Sequence, residues 1–177
     1  MRGDLKKQPN NLIMSSLTKA DWDSKLPIYK ISHQKLHNQG IRCLLLDVDG
    51  TLLNRNTNKI PEEVKSWIEK SKVLFKLYLI SNNPSEKRIS TIGDQLGISY
   101  KFKALKPSKK ITLEIINIMN ETNKNIAIIG DRIFTDIIVG NRCNIQTILV
   151  KRLNRKGLPI KLNLTLMIEK LISIFLK

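Results

Sequence analysis

Acidic residues are sparse in this chain: 15 Asp and Glu stand against 31 Lys and Arg, giving a net charge of +16 over 177 residues. Cysteine is scarcer still. Cys43 and Cys143 cannot build the disulfide framework of a small secreted domain, so a reducing compartment is expected. No run approaches the ~18 consecutive apolar residues of a spanning helix. The opening MRGDLKKQPNN lacks the apolar stretch of a secretory signal. Internal repeats and low-complexity blocks are also missing, which excludes solenoids and fibres. Aromatics make up only 5% of the chain, yet apolar residues reach 41%, enough for a packed core in one domain.

The basicity has two readings. A surplus of cations fits a nucleic-acid or anionic-membrane partner. However, 23 of the 31 cations are Lys, and the chain is crowded with Ile and Asn. A/T-rich codons supply those three residues without any selection for a partner.

Residues 1–15 are polar and aperiodic and are expected to form a flexible basic arm, with a single domain over 16–177. From 16 to 40 no period is evident. IRCLLLD (41–47) is a short continuous apolar run, as in a strand buried on both faces. Pro61-Glu62-Glu63 opens a helix with Val64, Trp67 and Ile68 on its apolar stripe. LFKLYLI (74–80) is the next strand. Asn83-Pro84-Ser85-Glu86 has the form of a helix start with Asn83 as N-cap, and Gly97 stops that helix. A weaker strand over 98–104 precedes a helix beginning at Lys106-Pro107 and carrying Ile111, Ile115, Ile118 and Met119. NIAIIGD (125–131) is a strand, 134–142 a short helix, and NIQTILV (144–150) a last strand. This alternation predicts a doubly wound α/β fold with a mainly parallel sheet.

In such a sheet ligands sit at the carboxyl ends of the strands, and four of those ends carry unusual residues. The first leads into Asp47-Val48-Asp49-Gly50-Thr51, two carboxylates delivered to one spot. Their repulsion calls for a cation, and hard oxygen ligands suit Mg²⁺. The second leads into Ser81-Asn82-Asn83, whose hydroxyl and amides can hold phosphoryl oxygens. Lys106 follows the third, fixed before a proline. Gly130-Asp131 and then Asp136 follow the fourth.

This order of acid pair, hydroxyl, lysine and acid pair resembles the four motifs of the haloacid dehalogenase (HAD) superfamily of phosphatases. The resemblance implies that Asp47 is the nucleophile and forms an aspartyl-phosphate, with Asp49 as general acid and base. It further implies that Thr51 sets Asp49 and, with Asn82, helps hold the substrate, that Ser81 binds the transferring group, and that Lys106 neutralises charge. Mg²⁺ would be held by the Asp47 carboxylate, the Asp49 main-chain carbonyl and Asp131, and Asp136 would orient Lys106 or a bound water.

Only 31 residues separate Asp49 from Ser81, and 24 separate Ser81 from Lys106. Neither gap can hold a sizeable cap domain, so an open site is expected. The runs GIRCLLLDVDGTLL, LISNN, ALKPS and IIGDRIFTDIIVGNR resemble the YqeG-type branch of HAD subfamily IIIA, in which many bacterial members carry Asn where Gly50 stands here. That branch is related to phosphatidylglycerophosphate phosphatases, which release phosphatidylglycerol in phospholipid biosynthesis.

The resemblance therefore implies a phosphomonoester substrate in a phospholipid head group and peripheral contact with an anionic membrane. The location would be cytoplasmic, or the stromal or matrix side of an organelle. A basic tail over 151–177 fits this: Val150 to Lys177 holds seven cations and one acid. From about 164 it has a helical apolar stripe, which could instead pack on the sheet. A soluble phosphatase for a sugar, nucleotide or nucleic-acid phosphate is the alternative reading, and a basic RNA- or ribosome-binding module on the same scaffold is the third. Oligomeric state is left open. Arg142 is expected to pin the loop after Asp136 or touch substrate, His33 and His37 to lie on the surface, and Cys43, Cys143 and Trp67 to be core.

Overall fold

A computed structural model describes residues 9–154, with side chains described from Met14 onward. The expected basic amphipathic tail lies outside the described residues, apart from its first four positions, and so do residues 1–8.

In chain order the elements are α1 (Pro9–Thr18), β1 (Trp22–Asp23), α2 (His33–Asn38), β2 (Cys43–Leu46), α3 (Glu62–Leu74), β3 (Lys76–Ile80), α4 (Glu86–Leu96), β4 (Tyr100–Lys101), α5 (Lys110–Met119), β5 (Ile126–Gly130), α6 (Ile138–Arg142) and β6 (Gln146–Leu149). The six strands form one sheet in the order β1-β6-β5-β2-β3-β4, and every pairing is parallel. The expected doubly wound architecture is present.

β2 sits at the centre and is buried along its whole length. Its residues alternate between two cores, as a pleated strand requires. Leu44 and Leu46 join Leu79, Ala127 and Ile129 against Val64, Trp67 and Ile68 of α3 and Ile89, Ile92 and Leu96 of α4. Cys43 and Leu45 join Tyr78, Ile80, Ile126 and Ile128 against Ile115, Ile116 and Met119 of α5 and Val139 of α6. Both cysteines are buried thiols, as expected. The strands therefore read as continuous apolar runs because each side of the sheet is covered. Only α3 lies between β2 and β3, and only α4 between β3 and β4, so no cap covers the carboxyl edge at either insertion point.

Several local expectations shift. Helix α1 takes in Pro9–Thr18, where an arm was expected over 1–15, and the Asn141 side chain donates to the carbonyls of Leu17 in its last turn and Lys19 just past its end, at 2.7 and 2.9 Å. The aperiodic stretch 16–40 supplies the edge strand β1 and helix α2, both too short to carry a readable period. His33 is half-buried rather than a surface residue: it stacks on Trp67 and Phe75, with Nε2 2.9 Å from the Ser71 hydroxyl. His37 is exposed. Helix α4 starts at Glu86 with Ser85 as N-cap, accepting from the Arg88 N–H, because Asn83 is committed elsewhere. Helix α5 starts at Lys110 rather than Lys106. It buries Thr112, Ile115, Ile116 and Met119 and exposes Ile118.

Candidate active site

Each loop that leaves the carboxyl edge of β2, β3, β4 and β5 delivers side chains to one place. Asp47 follows β2 directly, its N–H still on the sheet through the Ile129 carbonyl at 2.9 Å. The chain then turns back on itself. Leu52 N–H donates to the Val48 carbonyl at 3.0 Å and Gly50 N–H to the Leu53 carbonyl at 2.8 Å. Gly50 has φ +104°, a conformation side chains rarely adopt, and a Cβ there would lie 2.6 Å from Asp131 Oδ2, so a larger residue requires the Asp131 carboxylate to shift.

Thr51 is completely buried and its hydroxyl donates to Asp47 Oδ2 at 3.0 Å. Thr51, expected to set Asp49 and help hold substrate, has its hydroxyl on Asp47 here and does not line the cavity. Asp49 is instead held by Asn83 Nδ2 at 2.7 Å and by Arg88, whose Nη2 lies 2.8 Å from Oδ1. Arg88 also donates to the carbonyls of Thr57 and Asn54 at 2.7 and 3.3 Å and to the Asn58 side chain, strapping the loop after β2 to the start of α4.

Ser81, just past β3, is buried, and its oxygen accepts from the Asn83 N–H at 3.1 Å. Its own O–H remains available to donate into the cavity. Asn82 makes a two-way pair with the Lys106 backbone: its amide donates to the carbonyl at 2.8 Å and its oxygen accepts from the N–H at 2.7 Å. Asn82 thus fixes the loop that carries the lysine, between Leu105 with φ +55° and Pro107.

Lys106 is 4% exposed and spends all three ammonium donors: on Asp47 Oδ1 at 2.8 Å, Asp136 Oδ1 at 2.6 Å and the Ile80 carbonyl at 3.0 Å. Burial alone would lower its proton affinity, but Asp136 and Asp47 overcome that and raise it above the ordinary lysine range. The ammonium stays charged. Asp136 hangs from a π-helical turn (Ile133–Ile137), and its second oxygen accepts from the Arg132 N–H at 3.1 Å. A Cβ on Gly130 would lie 2.3 Å from the Asp136 carboxyl, so the strand must end in glycine to let that acid close over it. Asp136 thus holds the Lys106 ammonium through one oxygen and the Arg132 N–H through the other.

Three carboxylates, those of Asp47, Asp131 and Asp136, have oxygens within 4.8 Å of one another. The buried Lys106 ammonium does not balance them. Burial, with repulsion from Asp47 and Asp136, pushes the Asp131 carboxyl up to about 7, against the pull of Arg152 and Arg132. A divalent cation would relieve this excess, and a set of carboxylate oxygens is the donor chemistry that hard cations take. Asp47, Asp131 and Asp136 are the residues that could hold it, and each also accepts from protein donors on both of its oxygens.

A cavity of about 190 Å³ opens over this cluster, lined by Asp47, Asp49, Arg55, Ser81, Asn82, Asn83, Lys106, Arg132 and Thr135. Asp47, Asp49, Ser81, Asn82 and Lys106 are thus brought together as expected, with Asp131 and Asp136 packed at the carboxyl end of β5 beside Asp47. Arg142 stays outside, donating to the Pro107 carbonyl at 2.7 Å and pinning the lysine loop rather than the one after Asp136. Arg55, Arg88, Arg132, Thr135 and Arg152 were not anticipated. No local pattern marks an arginine in a chain this rich in cations. Asn83 was read only as a helix cap.

The family described as mitochondrial PGP phosphatase matches residues 8–153 of this chain. Among curated proteins, the probable phosphatase YqeG of Bacillus subtilis is 31% identical over 124 residues, spanning 70% of this chain and 72% of that one. Among solved structures, an uncharacterized protein from Listeria monocytogenes serotype 4b superposes with a TM-score of 0.52 at 20% identity, covering 70% of this chain and 88% of that one. The cobalt-bound deoxy-D-mannose-octulosonate 8-phosphate phosphatase of Haemophilus influenzae superposes with a TM-score of 0.50 at 18% identity, covering 65% and 70%. These two likenesses concern the fold.

Proposed function

Since this chain belongs to the mitochondrial PGP phosphatase family, within the YqeG-type branch of HAD subfamily IIIA, we propose that it removes the terminal phosphate of phosphatidylglycerophosphate at a membrane surface. The coarser statement, that it is a phosphoric monoester hydrolase, follows from the family. The lipid substrate and the residue roles are our reading.

Asp47 attacks phosphorus, the bond from phosphorus to the ester oxygen breaks, and an acyl phosphate forms on Asp47. Lys106 and Thr51 hold the attacking carboxylate from two sides and spend one hydrogen bond on each of its oxygens. Asp49 gives its proton to the departing oxygen, being the only carboxyl besides Asp47 in the cavity lining. In the second half Asp49 takes a proton from water as the water oxygen attacks phosphorus. Inorganic phosphate leaves and the Asp47 carboxylate is restored. Ser81 donates its hydroxyl to a phosphoryl oxygen throughout. A divalent cation, Mg²⁺ in our reading, held by Asp47, Asp131 and the Asp49 carbonyl, would offset the repulsion between carboxylate and phosphate.

The observation that carries the lipid reading is charge on the uncapped edge. Exposed Lys59, Lys87, Lys103, Lys109 and Lys110 all lie on the loops, or at the helix starts, that follow strand ends on the side of the cavity. Glu62, Glu63 and Glu86 are the exposed acids at the starts of α3 and α4. A basic rim around an open site suits a phosphate presented by an anionic bilayer, at about 1 kcal/mol per cation near the surface. Among the described residues no helix is long and apolar enough to cross a membrane.

The test is phosphate release from phosphatidylglycerophosphate vesicles set against small soluble phosphomonoesters. We expect vesicles to be the better substrate by at least about tenfold in kcat/KM, with Asp47→Asn inactive. Brisk hydrolysis of soluble esters with none from vesicles would sink the lipid reading and favour a soluble phosphatase.

A further inference from the structure

Six arginines lie among the described side chains, and four are committed. Arg42 donates to the carbonyls of His37 and Ile41, Arg88 to Asp49, Arg142 to Pro107 and Arg152 to Asp131. The guanidinium groups of Arg55 and Arg132 make no hydrogen bond or ion pair among the described residues; Arg132 contributes only its backbone N–H, to Asp136. These two uncommitted arginines are also the two that line the cavity. A guanidinium carries five donors and no acceptor, and its planar fork matches phosphate oxygens two at a time.

They reach the cavity from loops other than those that carry Ser81 and Lys106. Ser81 and Lys106 come from the loops after β3 and β4, on one side of Asp47. Arg55 follows β2 and Arg132 follows β5, its neighbour on the other side. The cavity is therefore lined by one cation saturated by the nucleophile and its partners, Lys106, and by two guanidinium groups with no hydrogen-bond partner among the described residues. Arg55 is exposed and Arg132 half-buried, so both can be reached from solvent. A cavity of about 190 Å³ with this polar lining takes a head group and leaves the rest of a substrate outside.

We propose that Arg55 and Arg132 form a second anion subsite, so that the preferred substrate is a phosphomonoester carrying a second phosphate group, either in a lipid head group or in a free bisphosphate. This rests on the phosphatase reading above and adds what the portion beyond the scissile bond must bear. Thr135, on the same rim, offers a hydroxyl to the same group.

The experiment compares the deacylated head group, glycerophospho-glycerophosphate, with glycerol 1-phosphate, which lacks the second phosphate. The wild type should favour the two-phosphate compound by at least about tenfold in kcat/KM, and that ratio should fall by about tenfold in R55Q and in R132Q, mainly through KM. Arg→Lys at either position should recover part of it. A second arm measures calorimetric binding of the head group to the Asp47→Asn protein, with and without R55Q, independent of turnover.

An unchanged ratio in both variants, or no preference in the wild type, overturns the subsite. If no phosphomonoester is hydrolysed, the phosphatase reading fails instead, and the binding arm decides: binding that weakens with R55Q upholds the subsite, and equal binding with and without R55Q overturns it. Vesicles preferred over the deacylated compound identify the lipid as the source of the second phosphate. The reverse preference identifies a free bisphosphate.

Discussion

The Asp131 carboxyl is held far above the usual carboxylate range. Its pKa of about 7 reflects burial first and two neighbouring acids second, against about 3.9 for an unfolded aspartate. Between those values the folded protein binds a proton that the unfolded chain has released. Stability contributed by this proton is complete below about pH 4 and is lost as pH rises through about 7. Melts of the chelator-treated protein should therefore show a loss on the order of 1–4 kcal/mol in the wild type relative to Asp131→Asn as pH is raised across that window. Mg²⁺ should cancel the loss at the alkaline end. Equal pH profiles for the two proteins would show that Asp131 carries no such strain.

Asn82 gives a second prediction at this scale. Its side chain holds both backbone groups of Lys106, so Asn82→Ala should lower kcat about tenfold. Asn82→Asp should not restore it, because a carboxylate cannot donate to the Lys106 carbonyl. Recovery of full kcat by Asn82→Asp would rule out this positioning role. The acids, Ser81 and Lys106 were legible in the sequence because each stands directly after an apolar run. Arg88 and Arg152 were not, since what distinguishes them is a partner far along the chain: Asp49 for one, Asp131 for the other.

Among the elements, the end of β5 depends most on a single small residue. Gly130 lies under Asp136 with no room for a Cβ. Gly130→Ala should push the π-helical turn away from Lys106 and destabilise by about 1–3 kcal/mol, with a larger loss of activity than of secondary structure by circular dichroism. Full activity in this variant would mean the turn can shift freely. The long strands and α3, α4 and α5 were legible from apolar runs and helical stripes. Their boundaries moved where side chains had tertiary uses: Asn83 left the cap of α4 to hold Asp49, and Ser85 replaced it. β1 and α2 went unread because two and six residues are too few to show a period. The register of β1 comes from β6, and α2 packs on α3 through the Leu36 side of the core.

For the molecule as a whole, the net charge of +16 includes a group of exposed lysines on the uncapped edge. Surface attraction of this kind is screened within about 8 Å at physiological salt, whereas the buried Lys106–Asp47 contact is shielded from solvent. Raising salt from low to high should therefore reduce turnover of vesicle substrate several-fold while changing turnover of a soluble phosphomonoester by less. Parallel loss on both substrates would place the salt effect in the site rather than at the membrane. The absence of a cap was legible from the short gaps between motifs, and the open edge follows from it.

The central claim is that Asp47 becomes covalently phosphorylated. Rapid acid quench during turnover of phosphatidylglycerophosphate, followed by borohydride reduction of the acyl phosphate and peptide mass spectrometry, tests it directly. The account predicts conversion of Asp47 to homoserine in the wild type and none in Asp47→Asn. Sustained phosphate release with Asp47 unmodified, or with the modification on Asp49, would contradict it.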